Sequence, residues 1–156
     1  MKKNVIVSLA DSNYFELLNE LVDSIKSFEQ SKDIAICILD AGLSEKQKNE
    51  LSKKVDEIKS AEWDIDVPAF KVKEKEWLKS QVSRAFLPKY FPSYEKFLWI
   101  DCDAWVGDWS SIELYFKACE NGKLGITQTF TPGYKIMSKV KWVFGQLAII
   151  KSQNFK

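Results

Sequence analysis

The run Phe97-Leu98-Trp99-Ile100-Asp101-Cys102-Asp103-Ala104-Trp105-Val106 constrains this chain more than any other stretch. Four bulky apolar residues lead straight into two carboxylates one residue apart. A continuous apolar run rich in aromatic and β-branched side chains suits a strand buried on both faces of a parallel sheet. The carboxyl end of such a strand is where open α/β sheets place their ligands. Residues i and i+2 of a continuing strand share a face, and a turn at Cys102 lets both carboxylates converge. Carboxylates held together repel, and a divalent cation relieves the repulsion. Hard cations such as Mg²⁺ and Mn²⁺ take oxygen ligands and bridge to phosphates. The plainer assignment makes Asp101 and Asp103 turn residues that close a strand. Taken alone, the run leaves both assignments open.

The chain has 156 residues, 46% hydrophobic and 29% charged, which is the profile of one globular domain able to bury a core. A formal net charge of +1 supplies no electrostatic case for binding nucleic acid or an anionic membrane. No apolar run approaches the roughly 18 residues of a membrane span. The run from Val5 to Ala10 is too short for a signal-peptide core and meets Asp11. Cys37, Cys102 and Cys119 are an odd number without a Cys-x-x-Cys pair. That usage favours a reducing cytosol over a disulfide framework or a zinc site. Histidine is absent, which removes Ser-His-Asp and Cys-His catalysis from what this chain can do alone.

Periodicity places alternating strands and helices along the chain. Asn4–Ala10 is a short β-branched run ended by Asp11-Ser12-Asn13, and Phe15, Leu18, Leu21, Val22, Ile25 and Phe28 predict a helix over 13–29, capped by Asp11 or Ser12. A second buried strand spans Ile34–Leu39. Ser44 with Gln47 three residues on forms a capping box, opening a helix through Leu51, Val55 and Ile58. Alternation of Trp63, Ile65 and Val67 with acidic residues predicts a third strand over 61–67, stopped by Pro68. A helix over 75–89 follows, then the opening run. Ser110 or Ser111 starts a helix that Asn121-Gly122 stops, and Leu124–Thr129 predicts a fifth strand. The stretch 136–150 reads as helix or as helix plus strand. Repeated strand–helix units predict a Rossmann-like α/β fold with a mostly parallel sheet and helices on both faces. The turns after strands one and four then lie at the same sheet edge. No Gly-x-Gly-x-x-Gly follows the first strand and no Walker-type loop occurs, so any bound nucleotide's phosphates rely on metal and side chains. Tyr14 is placed to stack a base, or to pack locally at its helix start. Arg84, ahead of the aspartate strand, suits a phosphate or a surface ion pair.

Four segments in order resemble the hallmarks of family 8 glycosyltransferases: residues 10–14 (Ala-Asp-Ser-Asn-Tyr), 39–45, 83–88 and 98–103. Together they span about the first 110 residues, the best-matched part of a single domain over 1–156. The family comprises retaining nucleotide-sugar transferases of the GT-A fold, including bacterial lipopolysaccharide glycosyltransferases. The resemblance implies transfer of a hexose from a nucleotide-diphosphate sugar, UDP-linked, to a glycan or lipid-linked acceptor. It implies that Asp101 and Asp103 bind Mn²⁺ or Mg²⁺ and that Ala10, Asp11 and Asn13 contact the uracil. Tyr14 then stacks on the base, Cys102 lies against the ribose and Arg84 approaches the donor. It assigns no catalytic residue. It also implies a cytoplasmic protein able to sit at the periphery of the inner membrane.

This sequence also departs from the family's pattern. The family domain runs longer, with an Asn-x-Gly strand that residues 144–150 match poorly and a histidine motif that supplies a third metal ligand. The expectation is an N-terminal, nucleotide-sugar-binding part with weak or absent transfer on its own. Two other readings compete. A haloacid-dehalogenase-like phosphatase also ends an apolar strand in Asp-x-Asp, but after its first strand. A non-catalytic partial domain would leave some of the six tryptophans, such as Trp105, Trp109 and Trp142, on an exposed patch suited to self-association.

Overall fold

The structure, a computed structural model, describes residues 2–126 and 148–151. Its elements run β1 (Asn4–Ala10), α1 (Phe15–Lys26), β2 (Ala35–Asp40), α2 (Glu45–Leu51), β3 (Glu57–Ser60), α3 (Ala69–Val72), α4 (Lys79–Ser83), α5 (Leu87–Tyr90), β4 (Lys96–Trp99), α6 (Trp109–Ala118), β5 (Gly125–Ile126) and β6 (Ala148–Lys151). The strands form one sheet in the order β3-β2-β1-β4-β6-β5. β1 pairs in parallel with β2 and with β4, β2 pairs in parallel with β3, and β6 runs antiparallel to both β4 and β5.

The largely apolar runs of β1, β2 and β4 are explained by burial on both faces. Ile6, Ile36, Ile38, Leu98 and Ile100 pack against Leu18, Leu21, Val22 and Ile25 of α1 and Ile112 and Phe116 of α6. Alternate residues Val5, Val7, Leu9, Leu39, Phe97 and Trp99 face the other way, onto Leu87, Tyr90 and Phe91. Each fully buried side chain of this size is worth about 1.5–3 kcal/mol. These two layers hold the carboxyl ends of β1 and β4 side by side.

Several boundaries differ from the expected ones. The helix predicted over 13–29 is α1, and Tyr14, not Asp11 or Ser12, occupies its N-cap position. The Ser44–Gln47 capping box is present, but α2 stops at Leu51, and residues 57–60 form β3. The alternating stretch 61–67 is no strand. The Ala61 N–H makes the last bond to β2, at the Asp40 carbonyl (2.8 Å). β2 ends at Asp40, so later residues have no β2 partner to pair with. The helix predicted over 75–89 is broken between α4 and α5. Pro88 stands in the first turn of α5 instead of ending a helix, because it has no N–H to offer a carbonyl one turn earlier. Asp108 rather than a serine caps α6, accepting from the Ser110 N–H at 3.2 Å. Asn121 and Gly122 take positive φ just past α6, as their chemistry predicts. Of the stretches 124–129 and 136–150, residues 124–126 and 148–150 fall among the described residues, and they carry β5 and the start of β6.

Candidate functional site

The register Val7↔Trp99 aligns β1 with β4, and the Ile100 N–H continues the ladder to the Val7 carbonyl at 3.0 Å. Both strands then turn at the same edge. Between the turns lies a cleft of about 350 Å³ lined by Leu9, Ala10, Asp11, Asn13, Tyr14, Asp101, Cys102 and Asp103, with Trp77, Ser80 and Gln81 on its far side. Parallel pairing thus brings together residues some ninety positions apart in sequence.

The first turn is built by Asp11. Its Oδ1 accepts the N–H groups of Asn13 (2.9 Å) and Tyr14 (3.2 Å), an Asx turn that launches α1. The β2–α2 loop braces it from the side. The Ser12 N–H donates to the Gly42 carbonyl at 3.2 Å, and Gln47 Nε2 donates to the Ser12 carbonyl at 3.1 Å. Gln47 also accepts from the Ser44 N–H at 2.9 Å, so the capping box of α2 reaches the cleft wall. Gly42 sits at φ +128°, which L side chains rarely adopt. Tyr14 stands at the lip with 46% of its surface exposed.

The second turn closes with the Ala104 N–H donating to the Asp101 carbonyl at 3.0 Å. Asp101 does more than turn the chain. Its Oδ1 accepts the indole N–H of buried Trp99 at 2.7 Å, and Arg84 Nη2 lies 3.4 Å from the same oxygen. Arg84 also donates through Nε to the Ser80 carbonyl at 2.9 Å and lays its guanidinium 5.1 Å from the centre of the Trp99 ring. Burial lowers the Arg84 pKa, and the Asp101 charge opposes that shift. Arg84 therefore stands behind Asp101, outside the residues that line the cleft. Cys102 is half-buried, and burial, followed by the charges of Asp103, Asp101 and Asp11, pushes its thiol up to about 11. It stays protonated at neutral pH.

The donor set fits a hard divalent cation. Asp101 and Asp103 both line one cleft, and carboxylate oxygens are the ligands such cations take. Among the described residues no group of three or more His, Cys, Asp or Glu side chains is placed to hold a metal ion by itself. A cation held here would complete its shell with water and substrate phosphates, the usual arrangement for Mg²⁺.

The sequence model of glycosyl transferase family 8 matches residues 5–141. The chain belongs to this family. No curated protein matches the chain. Among solved structures it resembles the galactosyltransferase LgtC in complex with donor and acceptor sugar analogues, at 20% identity and a TM-score of 0.67, covering 94% of this chain and 57% of LgtC. It also resembles the bifunctional glycosyltransferase WbbM (15% identity, TM-score 0.65, 96% of this chain and 31% of that one). A third is the mannosyltransferase PcManGT of Pyrobaculum calidifontis, in complex with GDP-Man and Mn²⁺ (11%, TM-score 0.57, 96% and 44%). These likenesses show the GT-A fold. The chain spans just over half the length of LgtC.

Family 8 membership sets the phosphatase reading aside, in keeping with an Asp-x-Asp turn that follows β4 rather than β1. Of the expected site residues, all except Arg84 line the cleft. Trp77, Ser80 and Gln81 were not foreseen as lining residues. The periodicity around them predicts a core-facing helix, and nothing local signals that the segment breaks and swings across the sheet edge. Of the tryptophans named for an exposed patch, Trp109 is buried, Trp105 is exposed and Trp142 lies outside the described residues. No helix among the described residues is long and apolar enough to cross a membrane.

Proposed function

We propose that residues 1–156 form a nucleotide-sugar-binding domain of a retaining hexosyltransferase. The donor is a UDP-hexose, held with Mn²⁺ or Mg²⁺, and the acceptor is a glycan or lipid-linked sugar. The observation that carries this reading is the single cleft into which the β1 and β4 turns both open. Ala10, Asp11 and Asn13 offer the backbone and side-chain groups of a turned loop to the edge of a base. Tyr14, half-exposed at the lip, offers a ring face to stack on it. Cys102, neutral and half-buried, offers a small apolar contact for the ribose. Asp101 and Asp103 hold the cation at the diphosphate end. When bound, the cation supplies Lewis-acid neutralisation of the charge that develops on the departing diphosphate. Arg84 adds a fixed positive charge behind Asp101.

The reading is supported by family membership, by the chemistry of the donor set and by a structural relative in complex with GDP-Man and Mn²⁺. Calorimetric titration of UDP with and without Mn²⁺, on the wild type and on Asp103→Ala, tests it. Metal-dependent binding that weakens at least tenfold in the variant is expected, a loss of about 1.4 kcal/mol. Binding indifferent both to Mn²⁺ and to the substitution refutes the reading.

A further inference from the structure

We infer that Trp99 is a positioning residue for the cation end of the cleft, acting through Asp101; this rests on the donor-site reading above. Trp99 is 1% exposed, on the sheet face that meets Leu87 and Phe91. Packing there asks only for a large apolar side chain, and phenylalanine satisfies that demand at the neighbouring alternate position, Phe97. An indole brings an N–H as well, which needs a partner once buried. The partner is the Asp101 carboxylate, at 2.7 Å.

A carboxylate on a turn swings about its own side-chain bonds unless something stops it. Here two supports meet on one oxygen. The indole N–H and the Arg84 guanidinium both address Oδ1, and Arg84 is in turn stacked on the same indole and tied to the Ser80 carbonyl. Trp99 therefore restrains Asp101 twice, by its own bond and by seating Arg84. Among the described residues no hydrogen bond is made to Oδ2, so that oxygen remains for an incoming cation. A ligand whose orientation is fixed beforehand loses less freedom on binding. The side chain never reaches the donor; its effect passes through one carboxylate oxygen.

The test is Trp99→Phe in the whole chain, which keeps ring and bulk and removes only the indole N–H and the larger stacking face. Partners of this kind typically change metal affinity by about 10–100-fold. The expected result is a weakening of that order in Mn²⁺-dependent UDP binding, with uridine binding, which needs no cation, unchanged. A double-mutant cycle with Asp101→Asn separates positioning from general damage. If Trp99 acts through Asp101, Trp99→Phe has no further effect on the Asp101→Asn background. Equal losses on both backgrounds overturn the inference, as does an unchanged Mn²⁺-dependent affinity in Trp99→Phe. Metal-independent UDP binding by the wild type instead overturns the donor-site reading, and this inference with it. Should Trp99→Phe fail to fold, ¹⁵N-indole spectra of the wild type decide. The Trp99 resonance, assigned by its displacement in Asp101→Asn, moves on adding Mg²⁺ with UDP and not with uridine. A resonance that ignores Mg²⁺ with UDP refutes the proposal.

Discussion

Tyr14→Ala isolates the base-stacking part of the proposed donor site. Tyr14 follows the Asx turn made by Asp11, at φ −98° and ψ 7°, and makes no side-chain cap to α1. Any residue adopts that conformation, and the backbone bonds to Asp11 survive the change. With 46% of its surface exposed, the ring contributes little to the core, and the thermal midpoint is expected to hold. Stacking of a base on an aromatic side chain is worth about 1–3 kcal/mol by alanine substitution. The ring stands at an open lip, where one face stays wet, so the lower half of that range applies, about 1–2 kcal/mol. That corresponds to a rise of roughly 5- to 30-fold in Kd. Calorimetry with UDP and with uridine should show the same factor for both, because the lost contact is to the base. An unchanged uridine affinity refutes the stacking role. A loss confined to UDP places Tyr14 at the diphosphate instead.

Other parts of the molecule give further tests. Tyr90→Phe removes a hydroxyl that accepts the Glu62 N–H at 2.9 Å and donates to Asp64 at 2.7 Å. The Asp64 side chain is 1% exposed and, among the described residues, keeps the Lys89 ion pair at 2.9 Å, so a loss of about 1–3 kcal/mol is expected in urea unfolding; no loss would show that water replaces the hydroxyl. Thiol labelling of the native chain should modify Cys102 alone, because Cys37 and Cys119 are buried, and UDP with Mn²⁺ should slow it. Three thiols reacting at one rate would refute the described packing. Asp108, held below the ordinary carboxylate pKa by the Ser110 hydroxyl and then by the Ser110 N–H, stabilises the fold fully above the unfolded value of about 3.9. That contribution is lost as pH falls through the lower folded value. Wild type should therefore lose its advantage over Asp108→Asn below about pH 4, and parallel stability curves would count against the cap.

What the sequence determined by itself was whatever depends on neighbours a few residues away. The β-branched and aromatic runs of β1, β2 and β4 had to be buried on both faces, because no alternation of polar residues marks a wet side. The Ser44–Gln47 box, the Asn121-Gly122 stop and the turn chemistry at Asp11 and Asp101 are local bonds that short spacings express directly. Asp11, Asn13, Tyr14, Asp101, Cys102 and Asp103 could be placed at one sheet edge in advance because each sits just beyond a strand end, whereas Ala10 was named through the family resemblance.

Tertiary structure decided everything that needs a partner from elsewhere in the chain. Trp63, Ile65 and Val67 alternate like a strand, yet β2 ends at Asp40 and offers them no further ladder. The four residues of β3 look like the tail of a helix until the Cys37↔Glu57 register claims them. Trp77, Ser80 and Gln81 meet the cleft only because the segment breaks before Pro88. Arg84 suits a phosphate in sequence, and folding sets it behind Asp101. The Asp101 carboxylate illustrates the division. Its place at the end of a buried strand was legible, and the indole lies only two residues away, but the guanidinium that joins it comes from Arg84, which folding lays over the Trp99 ring. Such contacts are set by three-dimensional proximity, which one-dimensional periodicity does not encode.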